Sequence, residues 1–117
     1  MSRLLLPALL LYAGASLLHH VHNAEYLAEY PHMPAWLTPA IVYAVWAATT
    51  AIGVAGLLFY RPLLVLYGLL GLYGLAHYAL APMAAHSFVM NVTILLEAVT
   101  ASLLLISLAI CRSPRLR

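Results

Sequence analysis

The chain has 117 residues, is 66% hydrophobic and 7% charged, and carries a formal charge of +2 from five Arg and three Glu. With no Lys and no Asp it lacks both the charged surface of a soluble domain and the basic footprint of a nucleic-acid binder, so no nucleic-acid partner is expected. A single cysteine, Cys111, excludes an internal disulfide and a paired-thiol redox centre.

The first apolar run extends from Leu4 to Leu18 and then meets His19, His20 and His22. Fifteen residues rise about 22 Å, short of a hydrocarbon core of about 30 Å, so a spanning helix carries these histidines into the outer part of the bilayer. Nothing breaks that helix before Pro31, and it is predicted over residues 4–30. Arg3, the run Leu4–Tyr12 and Ala13-Gly14-Ala15 also imitate a cleavable signal peptide. The uncleaved helix is preferred, because the charge pattern below makes sense of four spans.

Pro31, Pro34 and Pro39 mark a loop, with Trp36 as an interfacial anchor. Thr38-Pro39 reads as the N-cap and first position of a second helix, residues 39–60. Arg61-Pro62 turns the chain into a third helix over 62–80, and Pro82 closes it. A fourth helix is predicted over 87–111, ahead of a basic tail. Gly53 and Gly56 in the second helix, and Gly68, Gly71 and Gly74 in the third, are read as packing positions. The expected fold is therefore all-α: one integral membrane four-helix bundle within the lipid bilayer, residues 1–117.

With four spans, Arg3, Arg61, Arg112, Arg115 and Arg117 fall on one side, and the first and third loops have no Lys or Arg. By the positive-inside rule that side is cytoplasmic, so both termini are cytoplasmic in a multi-pass plasma-membrane protein. All six histidines then lie toward the extracytoplasmic end, with Glu25 and Glu29.

At 100° per residue, His19, His22, Glu25 and Glu29 share an arc about 120° wide, and His20 points elsewhere. On the fourth helix His86, Met90, Thr93, Glu97 and Thr100 align on one face. Tyr73 and His77 form an i, i+4 pair on the third. A charged Glu97 at membrane depth costs about 2.5–3.5 kcal/mol on insertion scales, so it must face the interior with a partner, or be protonated. His22 and His77 are the expected partners. The candidate metal ligands are His19, His22, Glu25, His77, His86 and Glu97. This set suits Zn, Fe or Cu, and a bis-histidine haem on His22 and His77 is an alternative. A ferritin-like di-iron site is a poor match, since it needs four carboxylates and two Glu-x-x-His motifs.

The stretch His22-Asn23-Ala24-Glu25-Tyr26, followed by Pro34-Ala35-Trp36-Leu37, resembles the signature region of small membrane proteins named for an HXXEE motif. Here Tyr26 stands where the motif has its second Glu. The resemblance implies a multi-span fold and a His/Glu site at His22 and Glu25, and supplies no activity. The expected function is an outward-facing His/Glu site that binds a metal ion or haem. The alternatives are a small transporter or proton-coupled carrier using Glu97, and an accessory subunit, as a homo-oligomer or in a larger membrane complex.

Overall fold

Thr38 starts a helix where the sequence places one. Its backbone is extended and its side-chain oxygen accepts from the amide of Ile41 at 3.3 Å, and Pro39 takes the first turn, where its missing N–H leaves no bond unmade. This computed structural model describes residues 3–112. Its helices are α1 (Leu5–Glu25), α2 (Pro39–Leu58), α3 (Pro62–Leu70), a short α4 (His77–Leu80) and α5 (Phe88–Arg112). A 3-10 turn at Tyr73–Ala76 joins α3 to α4, and two more lie at Leu27–Glu29 and Met83–Ala85.

Counting Pro62–Leu80 as one rod, four helices are long and apolar enough to cross a membrane. Neighbours in sequence are neighbours in space: α2 packs on α1 and α3, and α5 closes the ring against α1 and α3.

The first predicted helix is too long. It stops at Glu25, and Tyr26 leaves the helical region with φ −116° and ψ 27°. Tyr30, preceding Pro31, is extended as proline requires, and its ring turns into the bundle. Burial of that ring replaces the extra helical turn.

The third helix is interrupted. The Tyr12 hydroxyl donates to the Tyr67 carbonyl at 2.9 Å, and that carbonyl is also an acceptor for the amide of Gly71. The Gly71 amide is shared with Gly68, and the bonds of Leu72 and Leu75 close at three residues instead of four. A side chain competing for the ladder is a standard cause of such a tightening. The predicted Tyr73–His77 pair is lost with it: Tyr73 is 78% exposed, and His77 is buried.

The glycines are packing positions, as expected, and some cannot carry a side chain. A Cβ on Gly56 would lie 2.6 Å from the Leu64 amide nitrogen, and one on Gly71 would lie 2.5 Å from the Tyr12 ring. These approaches hold α2 to α3 and α3 to α1. The core between them is Leu5, Leu9, Tyr12, Leu64, Tyr67, Ala101, Leu104 and Leu108.

Candidate functional site

One face of α1 carries Leu5, Leu9, Tyr12, Ser16, His19 and Asn23, all buried. These recur every three or four residues, so the apolar stripe that docks α1 on α5 runs directly into His19. On α5 the predicted face holds from Met90 onward: Met90, Thr93, Glu97 and Thr100 are all buried, whereas His86, also buried, was expected on this helix and lies ahead of it in extended backbone. Thr93 and Thr100 satisfy their hydroxyls on carbonyls of their own helix, Met90 for the first and Leu96 with Glu97 for the second.

The two faces meet at Glu97. His19 Nδ1 is bonded to Glu97 Oε2, with His19 3% and Glu97 2% exposed. The other oxygen, Oε1, lies 3.8 Å from His20 Nδ1. His20 Nδ1 donates to the Ser16 carbonyl at 2.7 Å, which leaves the lone pair of that ring on Nε2. His19, His20 and Glu97 each offer a ligand atom, all within 4.8 Å of one another. They are the single such group of three among the described residues.

This corrects two expectations. The partner of Glu97 is His19, whereas His22 and His77 were expected. His20, which was set aside, belongs to the cluster. The cause is register: α1 presents the Tyr12–Ser16–His19 stripe to α5, and His20 flanks it.

Gly74 makes the meeting sterically feasible. A Cβ there would stand 2.9 Å from His19 Cε1, 3.3 Å from its Nδ1 and 3.4 Å from Glu97 Oε2. The 3-10 turn thus places the one residue without a side chain against the His19–Glu97 contact.

The remaining predicted ligands sit apart from Glu97. His77 is buried, with its ring centre 5.5 Å from that of His19, and Asn23 Nδ2 donates to its Nε2 at 3.2 Å. His86 follows at 6.1 Å from His77 and donates from Nδ1 to the Pro82 carbonyl at 3.0 Å. His19 Nε2 and His86 Nε2 are both buried without a hydrogen-bond partner. Asn91 holds this end together, accepting from the Tyr78 hydroxyl at 2.8 Å and donating to the Met83 carbonyl at 3.1 Å.

His22 is half-buried, stacks on Tyr26, and shares a 2.8 Å hydrogen bond with the Tyr30 hydroxyl. Burial pushes Tyr30 up to about 12, so its hydroxyl stays protonated. Glu25 is exposed and accepts from the Tyr43 hydroxyl at 2.6 Å. These two residues of the motif are therefore not brought to the buried centre. The Tyr30 ring stands 5.9 Å from His22 and 5.0 Å from His77.

Gly74, Asn23 and Asn91 were missed as contributors, as was Tyr30. Extending the three-and-four spacing back from His19 to Ser16 and Tyr12 would have found the docking face of α1. No local signal marks the two asparagines. Comparison with protein-family models, with curated proteins and with solved structures finds no match for this chain.

Proposed function

We propose that the chain is a multi-pass plasma-membrane protein, with both termini cytoplasmic, that binds a divalent transition metal through His19, His20 and Glu97. The membrane reading is supported by an inverted surface. Leu10, Leu11, Val54, Leu58, Val99 and Ile106 point outward, whereas Ser16, His19, Thr93, Glu97 and Thr100 are inside. In water such a surface invites aggregation; in lipid it is the favourable arrangement.

The observation that carries the metal reading is a group of three ligand-capable side chains within 4.8 Å inside an apolar bundle, His19 and Glu97 buried and His20 half-buried. Two neutral imidazoles and a carboxylate suit zinc, and also iron(II) or copper(II). Tetrahedral zinc needs ligand atoms about 3.3 Å apart, so the three side chains, now with ligand atoms within 4.8 Å, would draw closer around it. A cation between His19 Nδ1 and Glu97 would displace the hydrogen bond that joins them, the ring proton moving to His19 Nε2 so that the imidazole stays neutral, and the buried carboxylate offsets the charge. A fourth position stays open. The Ser16 carbonyl, holding His20 Nδ1, is the kind of outer partner that orients a ligating imidazole.

Zinc titration of the detergent-purified protein tests the reading, followed by calorimetry and metal analysis. About one zinc per chain at the Glu97 centre is expected. A folded, helical preparation that takes up none of zinc, iron or copper sinks the metal reading.

Sidedness is checked separately in intact cells, in a Cys111→Ser background, with a membrane-impermeant maleimide. Trp36→Cys, at a position 69% exposed in the first loop, reacts at once. Phe59→Cys, at a position 84% exposed at the opposite end, reacts after permeabilisation alone. The reverse pattern would invert the proposed orientation.

A further inference from the structure

Between the buried centre and the end of the bundle that bears the first and third loops stands a file of imidazoles that the three ligands do not use. The ring centres of His19 and His77 are 5.5 Å apart, and those of His77 and His86 are 6.1 Å apart. Two imidazoles bound to one zinc ion hold their ring centres about 5 Å apart, so each neighbouring pair needs only a small approach to share a cation.

The nitrogens are set for it. Pro82 accepts from His86 Nδ1, so the lone pair of that ring is on Nε2. Glu97 holds His19 Nδ1, so the lone pair there is likewise on Nε2. Both Nε2 atoms are buried without a partner, in side chains more than nine-tenths buried. An apolar interior strongly disfavours an unused acceptor, and imidazole nitrogens arranged this way are ready metal ligands. Between them, His77 Nε2 is held by Asn23, whose Oδ1 is also buried without a partner.

From this the geometry points to a transit site: His86 and His77 receive a divalent cation at the loop end of the bundle and pass it to His19 and Glu97. The cation is coordinated by one imidazole pair at a time, so the apolar bundle never holds it bare. Asn23 is a positioning residue, occupying His77 Nε2 until the cation displaces it. Phe88 and Met83, exposed beside this end, stand outside the file.

This rests on the metal reading of the Glu97 centre, and the test separates the two. Zinc alone is mixed with detergent-purified protein in stopped flow, and its release is then followed with a zinc-sensitive dye. His86→Gln and His77→Gln are each expected to slow loading and release together, by at least about tenfold, because a route is lost. Phe88→Ala keeps wild-type rates. Merely loosening the fold would speed release instead. Rates within about twofold of wild type, or faster release, in either folded variant overturn the transit site while leaving the Glu97 centre standing. Wild-type protein that takes up no zinc removes both proposals. Since the two substitutions sit on different elements, one folded variant is enough to decide.

Discussion

Glu97→Ala is expected to raise the zinc dissociation constant by at least about a hundredfold, more than any other single change in this chain. Glu97 is the sole buried carboxylate among the described residues, so nothing else inside the bundle can offset a divalent charge. The substitution also leaves His19 Nδ1 buried and unpaired, which costs about 1–3 kcal/mol and lowers the thermal midpoint in detergent. Glu97→Gln separates the two effects. The amide keeps a hydrogen-bonding partner for His19 and recovers much of the stability, but it carries no charge and does not restore binding. Calorimetric titration beside a thermal melt reads both. If Glu97→Ala binds zinc as tightly as the wild type, Glu97 is not a ligand.

Gly74→Val is expected to lose at least about tenfold in zinc affinity and about 1–3 kcal/mol in stability, although residue 74 supplies no ligand atom. Its Cβ would enter the space taken by His19 Cε1 at 2.9 Å and crowd Glu97 Oε2 at 3.4 Å. To relieve this, either the ring moves off the carboxylate or the 3-10 turn moves off α1 and α5. Gly14→Ala is the control. Nothing lies within 4 Å of a Cβ there, so it is expected to stabilise α1 slightly, by about 0.5–1 kcal/mol as a helix-interior glycine replacement. Wild-type affinity and melting temperature in Gly74→Val would show that the approach at the turn does not matter.

How far the sequence leads can be argued from particular residues. Thr38-Pro39 and Arg61-Pro62 mark helix starts by local chemistry, and the structure starts helices at both prolines. The α5 face from Met90 through Glu97 to Thr100 follows from spacing alone, because α5 is one uninterrupted helix over that stretch and 3.6-residue periodicity holds throughout. Where periodicity fails, so does the reading. Tyr73 and His77 part because the chain tightens to a 3-10 turn, and the helix predicted to Tyr30 ends at Glu25 because a tyrosine ring gains more by burial.

The sequence by itself therefore determined an all-helical chain with four segments long and apolar enough to span a membrane, an asymmetry of histidine and arginine, and a Glu97 that must face inward. Each follows from composition or from a period within one helix. Only the tertiary structure decided which histidines meet that carboxylate. The choice of His19 and His20 over His22 depends on the rotation of α1 against α5, and Tyr12, the Gly74 approach and the break in the third helix settle that rotation together. All three are contacts between segments distant in sequence, and no spacing within a single helix encodes them.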